Sequence, residues 1–202
     1  MSKLKIALTG GIASGKSKVG NILKDLGAAI IDLDVISRKV VMPRTDGLSE
    51  LVTNFGSSIL NDDETLNRSE LRNLLLKDKS NKRLIESILH PKILDYMQKE
   101  ITNIDNNIVV VEIPLLGETG NTHMFDRAII VDCNKSDQLE RLIKRDGINE
   151  DKAQSMISAQ ISREERLKIA EKLPTDIIDN SSQSSNLEQD VSLLYDRLIN
   201  NK

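Results

Sequence analysis

Residues Gly10-Gly11-Ile12-Ala13-Ser14-Gly15-Lys16-Ser17 match G-x-x-x-x-G-K-[S/T], and no other feature constrains the fold as tightly. An apolar run, Ile6-Ala7-Leu8, leads in as a strand, and Val19, Ile22, Leu23 and Leu26 follow at helical spacing. That strand–loop–helix setting separates a working phosphate loop from a chance match. Glycines let the backbone curl with its N–H groups inward, so the loop becomes an anion nest at a helix N-terminus. Lys16 brings a positive charge toward the β- and γ-phosphates, and the Ser17 hydroxyl is placed to ligate Mg²⁺. The motif predicts nucleoside triphosphate binding. A Gly-rich turn that merely caps a helix is the poorer reading here.

Apolar runs at 4–9, 28–33, 108–115, 127–133 and 176–179 alternate with helical patterns. Near-continuous runs such as Ile108-Val109-Val110-Val111 suit parallel strands buried on both faces. The expected fold is α/β: a doubly wound, parallel, five-stranded sheet of the P-loop NTPase type, whose ligands gather at the carboxyl ends of the strands. Residues 35–106 break the rhythm, with helical stretches at 47–55, 68–78, 80–89 and 91–104. They read as a helical insertion between strands 2 and 3, a subdomain of one 1–202 domain where a second substrate is held. Leu187, Val191, Leu194 and Leu198 form the core stripe of a terminal helix, after a polar loop at 180–186.

Composition narrows the function. Two Phe, two Tyr and no Trp in 202 residues leave the core to aliphatic side chains. A net charge of −3 argues against broad nucleic-acid binding. No apolar stretch reaches the ~18 residues that span a bilayer. The first core strand begins within a few residues of Met1, leaving no room for a signal peptide, so a cytoplasmic location is expected. The single Cys133 ends an apolar run and reads as a small buried hydrophobe.

The second substrate must be read elsewhere. Asp32 and Asp34 lie two apart at the end of strand 2, and period-two geometry puts both carboxylates on one side if the strand persists. A carboxylate there accepts a hydroxyl proton, or holds Mg²⁺ through water, or simply caps the next helix. Arg38 falls one turn after Asp34. Phosphoryl transfer needs charge neutralisation beyond Lys16. The segment 141–168 supplies Arg141, Lys144, Arg145, Lys152, Arg163, Arg166 and Lys168. A helical lid over about 141–170 is one reading. A solvated helix with Asp137–Arg141 and Glu140–Lys144 pairs is the other. Asn134-Lys135-Ser136-Asp137 has the N-K-x-D form that reads guanine in GTPases, but no Asp in the chain has Gly three residues later, as their D-x-x-G switch requires. It is therefore read as a strand exit and helix N-cap.

Taken together, the spaced blocks resemble the dephospho-coenzyme A kinase family over nearly the whole chain. They are Ala7 to Ser17, Asp32-Leu33-Asp34 with Ser37-Arg38, Leu89-His90-Pro91, Ile113-Pro114-Leu115-Leu116 with Glu118, and Arg141-Leu142, Arg145-Asp146-Gly147, Gln160 and Asp179-Asn180. The resemblance implies ATP-dependent, Mg²⁺-assisted phosphorylation of the ribose 3′-hydroxyl of dephospho-coenzyme A, the last step of coenzyme A biosynthesis. ATP would be held by Gly11, Ile12, Ala13, Ser14, Gly15, Lys16 and Ser17. Arg141 and Arg145 would add charge from the lid, Arg145 touching the phosphates, and Asn180 would border the adenine. On the acceptor side stand Thr9, Asp34, Arg38, His90, Pro114 and Leu115. Lys16, Asp34 and Arg145 would carry catalysis. Ser17 would ligate Mg²⁺, with Asp32 as a second candidate. ATP and dephospho-coenzyme A are the expected partners of a monomer or weak homo-oligomer, with no nucleic acid or membrane. Ala13 stands where Gly is more usual and Gly117 where a bulky apolar residue is. The 171–175 link is longer than usual. Another P-loop kinase, acting on a nucleoside monophosphate or small alcohol, and a nucleotide-dependent switch are the competing classes.

Overall fold

The strand that feeds the phosphate loop, β1 (Leu4–Gly10), carries Ile6, Ala7 and Leu8 at zero exposure in the middle of a parallel sheet. The computed structural model describes residues 3–182 and 186–200. The other strands are β2 (Ala29–Asp32), β3 (Ile108–Glu112), β4 (Arg127–Asp132) and β5 (Thr175–Asp179), in the order β2-β3-β1-β4-β5. Register is fixed by Ala7, which lies opposite Val111 on one side and Ala128 on the other. Side chains alternate across the sheet. Ile6, Leu8, Val110, Ile129 and Val131 join one core cluster with Val19 and Leu23 of α1 (Lys16–Asp25) and Val191, Leu194 and Leu198 of α10 (Leu187–Asn200). The expected five-stranded parallel sheet and the terminal helix are both present.

Strand ends fall where local chemistry stops them. The third strand was expected to reach 115, but β3 ends at Glu112. Ile113 N–H still donates to the Leu8 carbonyl at 2.8 Å. Pro114 then has no N–H to continue the ladder.

The chain divides into two units, 1–31 with 104–202, and 32–103. The second is all-helical: α2 (Leu33–Lys39), α3 (Asp46–Phe55), α4 (Arg68–Lys77) and α5 (Lys79–Asn103). Thr45 caps α3 and Asn67 caps α4 through side-chain oxygens. The expected pair of helices at 80–89 and 91–104, parted at His90-Pro91, is corrected to one helix of 25 residues running through Pro91. A proline there forfeits one backbone bond. Ile85 and Ile88 before it and Met97 and Ile101 after it are buried, on opposite sides of the helix, which packs with α2, α3 and α4. Burial on both sides of the proline overrides the local break signal.

The first unit is completed by α6 (Leu116–Thr119), α7 (Lys135–Asp146), α8 (Glu150–Ser158) and α9 (Arg163–Leu167). Among the described residues no helix is long and apolar enough to cross a membrane. Residues 183–185 of the polar loop lie outside the described residues.

Candidate active site

Close approach explains the glycines of the loop. A Cβ on Gly10 would run into the Val131 carbonyl and the Ser14 hydroxyl, and one on Gly15 into the Asn180 amide. Gly15 sits at φ 99°, in the left-handed region, and opens α1 with no side-chain cap. The helix N-terminus thus stays available to an anion. Ala13 adopts φ 58°. A side chain there costs about 1–2 kcal/mol relative to glycine, which gives the family's more usual Gly at this position a conformational reason. Lys16 Nζ folds back on the Gly10 carbonyl at 3.0 Å.

The exit of β5, β4 and α7 converge on this loop within the first unit. Asn180, just past β5, donates its Nδ2 to the Ser14 carbonyl at 2.7 Å and its backbone N–H to the Asp132 carbonyl at 2.8 Å. Arg141, from α7, donates Nη2 to the Asn180 carbonyl at 2.7 Å. Among the described residues its Nη1 is buried with no hydrogen-bond partner, as is the Ser14 hydroxyl. A buried cationic donor without an acceptor is expensive, and an anion at the loop would supply one. Asn180 therefore contacts the phosphate loop itself, which the reading of it as an adenine neighbour did not foresee. The longer link at 171–175 does not displace it. Pro174 O accepts from Ala128 N at 2.8 Å, and Asp179 lies opposite Asp132.

Glu112 is a site residue the sequence reading missed. It closes β3, and its Oε2 accepts from the Ser17 hydroxyl over a long 3.5 Å. Its only sequence signal is an acid ending the run Ile108-Val109-Val110-Val111. A hydroxyl and a carboxylate are hard oxygen donors that suit Mg²⁺, which takes few protein ligands and completes its shell with phosphates and water. Among the described residues no group of three or more His, Cys, Asp or Glu is placed to hold a metal alone.

Arg145 lies one turn beyond Arg141 on α7, but it forms a bidentate pair with Asp146 at 2.7 and 3.0 Å, which raises its pKa. Arg163 pairs with the buried Asp132 of β4 at 2.6 Å. Arg166 is buried, and burial pulls its pKa down, with Glu118 and Asp132 opposing. The expected Asp137–Arg141 pair gives way to another arrangement. Asp137 accepts from the Ser182 N–H at 2.7 Å and hydroxyl at 2.8 Å, which hold its carboxyl below the usual range. Asn134 Oδ1 takes the Asp137 N–H at 2.8 Å. The N-K-x-D segment is thus a helix cap whose acid is already occupied. Cys133 is buried, and burial lifts its thiol to about 11.

Thr9 is buried at the end of β1, and Pro114 and Leu115 follow β3, with Leu115 exposed. Gly117 has a steric reason: a Cβ there would collide with Ile161 Cδ1.

Of the residues expected on the acceptor side, Asp34, Arg38 and His90 belong to the second unit. Asp32 ends β2 and caps α2, its Oδ1 accepting from Asp34 N at 2.8 Å and Val35 N at 3.3 Å. This corrects the period-two reading: the strand does not persist to Asp34, because the Asp32 side chain starts a helix instead. Asp34 and Arg38 are exposed one turn apart on α2, and His90 is exposed on α5.

Comparison with known proteins gives a consistent picture. Residues 4–186 match the model of a family described as dephospho-CoA kinase. The dephospho-CoA kinase of Yersinia pseudotuberculosis is 39% identical over 194 residues, spanning 96% of this chain and 92% of that protein. That of Listeria innocua is 34% identical over 200 residues, 98% of each. A solved dephospho-CoA kinase from Campylobacter jejuni superposes with a TM-score of 0.72 at 26% identity, covering 98% of both chains. A shikimate kinase from Bacteroides thetaiotaomicron, at TM-score 0.53 and 18% identity over 97% of this chain and 98% of that one, shares the fold alone.

Proposed function

The chain belongs to the dephospho-coenzyme A kinase family, and on that premise we propose that it moves the γ-phosphoryl group of ATP to the ribose 3′-hydroxyl of dephospho-coenzyme A. The bond between the γ-phosphorus and the β–γ bridging oxygen breaks. A bond from the 3′-oxygen to phosphorus forms, and the hydroxyl proton passes to Asp34. Coenzyme A and ADP leave. The observation that carries the donor half is the buried Nη1 of Arg141, which has no hydrogen-bond partner among the described residues and is held against the phosphate loop through Asn180.

Such a transfer has a loose transition state, so positioning and charge neutralisation dominate. Lys16, Arg141 and the N-terminus of α1 neutralise the phosphates, and Arg145 joins them by leaving Asp146. Mg²⁺ would be held by Ser17 with Glu112 beside it, and Asp32 remains a second candidate; bound, it neutralises phosphate charge. In the second unit Arg38 and His90 are the acceptor-holding residues; in the first unit Thr9, Pro114 and Leu115 are. The enzyme works in the cytoplasm as a monomer or weak homo-oligomer.

The test is coupled ADP release with dephospho-coenzyme A, AMP, CMP and shikimate offered in parallel. Turnover is expected with dephospho-coenzyme A only; turnover restricted to another acceptor refutes the reading. Asp34→Asn should lower kcat by about 10²–10⁴-fold, the usual worth of a general base, while leaving ATP affinity unchanged. Near-normal turnover in that variant would make Asp34 merely a residue of the first turn of α2.

A further inference from the structure

Ile12, in the middle of the phosphate loop, has its backbone N–H and its carbonyl, one from each flanking peptide group, both taken by glutamine side chains from outside the loop. Its N–H donates to Gln160 Oε1 at 2.7 Å, and its carbonyl accepts from Gln138 Nε2 at 2.9 Å. We infer that Gln138 and Gln160 are positioning residues that grip the two peptide groups flanking the Ile12 Cα and preset the loop for the triphosphate.

Each glutamine comes from a secured place. Gln138 lies on α7, three residues before Arg141 and so on the same helix face. Gln160 lies between α8 and α9, in a segment tied down at the next residue. Ile161 N–H donates to Glu118 Oε1 at 3.3 Å, and the Ile161 carbonyl accepts from Arg166 Nη2 at 3.1 Å. The Ile161 side chain fills the space over Gly117. Gly11 belongs to the same arrangement: a Cβ there would collide with Gln138 Nε2 and stand 3.1 Å from Arg166 Nη1.

The consequence lies in the next residue. Ala13 holds φ 58°, a conformation an alanine leaves unless its surroundings fix it. With both peptide groups pinned, Ala13 has little room to relax, and the N–H groups beyond it keep facing the phosphates. Preset donors accelerate transfer because they need no reorganisation as charge develops. The two peptide groups held this way share the Ile12 Cα, so the two glutamines are interdependent.

The inference rests on the triphosphate-binding reading, so the first measurement is ATP binding by the unaltered chain. Its absence would refute that reading, not the grip. Gln138→Met and Gln160→Met keep size and remove the bonds. Each should lower kcat/KM for ATP by about tenfold, the worth of one well-placed hydrogen bond, with KM for dephospho-coenzyme A unmoved. The double variant should fall short of the product of the two. Amide exchange read by NMR gives a signature that loose packing does not: the Ile12 amide exchanges faster in Gln160→Met and stays slow in Gln160→Glu, which keeps an acceptor. Gln138→Glu loses the donor and should behave no better than Gln138→Met. Unchanged Ile12 exchange in Gln160→Met, ATP kinetics within twofold of the parent in both Met variants, or independent effects in the double variant would each overturn the inference. If the Met variants fail to fold, the Gln160→Glu and Gln138→Glu pair still decides it, since equal ATP kinetics in these two would refute the asymmetry between acceptor and donor.

Discussion

Gly15 and Asn180 should be energetically coupled, and the coupling can be worked from the contacts. Asn180→Ala deletes the Nδ2 bond to the Ser14 carbonyl and leaves the backbone bond that seats Arg141 intact. Loss of one such bond costs about 0.5–1.5 kcal/mol. For a chain of this size that lowers Tm by about 2–4 °C per kcal/mol. Gly15→Ala carries two penalties. A non-glycine residue at φ 99° costs about 1–2 kcal/mol. Its Cβ also lands on the Asn180 amide and must expel it, forfeiting the same bond that Asn180→Ala removes. With the two losses sharing one bond, the double variant should be less destabilised than the sum, by about 1 kcal/mol. Thermal melts of the parent, both single variants and the double variant measure the stability cycle, and calorimetric ATP titrations should show the same sign of coupling. If Gly15→Ala costs as much with Asn180 present as without it, the claim that Asn180 is why position 15 must lack a side chain is wrong.

Lys16→Ala should lower kcat by about 10²–10³, as removal of one preset charge-stabilising donor does, with the far-UV spectrum and Tm nearly unchanged; residual activity above a tenth of the parent would refute its role. Gly47→Ala tests the second unit. A Cβ there meets the backbone carbonyl of Val40, which cannot swing aside, so a loss of about 1–3 kcal/mol is expected from overpacking, read as a lower urea midpoint. Cys133 supplies a pH prediction. Burial raises its thiol from the ordinary 9.0 to about 11, so the folded chain keeps a proton that the unfolded chain releases. Its contribution to stability is complete below pH 9 and is lost as pH rises toward 11. A thiol reagent at pH 8 should label Cys133 only in denaturant, and Cys133→Ala should flatten the decline in stability between pH 9 and 11. Rapid labelling of the native chain would show the thiol is not sequestered.

What was legible in the sequence was whatever one short segment determines. The glycine-and-lysine loop, the aliphatic strands and the cap at Asn134 are each written within about five residues, and each is present. Two kinds of fact were not local. One is competition between a local signal and distant packing. Pro91 argues for a helix boundary, and the burial of Ile85 and Ile88 before it and of Met97 and Ile101 after it outweighs it. The end of strand 2 is the converse case, where Asp32 turned from strand residue to cap within two residues and took Asp34 into a helix. The other is partnership across the chain. Glu112 meets Ser17 across 95 residues and Gln160 meets Ile12 across 148. Neither residue carries a spacing that announces the contact.

Two of the three departures from the expected pattern, Gly117 and the 171–175 link, show how such partnerships absorb change. Gly117 lacks the bulk usual at its position, and Ile161 occupies the volume a side chain would need. The segment bearing Ile161 thereby seats on the first turn of α6 through packing as well as through Glu118. The longer link before β5 is absorbed ahead of the strand, by a turn of 3₁₀ helix over Lys168–Glu171 and by buried Leu173. Pro174 then takes up its bond to β4, and the register from Thr175 onward places Asn180 at the loop. In both places the sequence differs where a side chain or a turn can give way, and the backbone positions that aim donors at the phosphate loop stay fixed. A change that shifted β5 by one residue would flip Ile178 out of the core cluster and carry Asn180 away from Ser14 together. The ATP site and the stability of the sheet are therefore one constraint on this part of the chain.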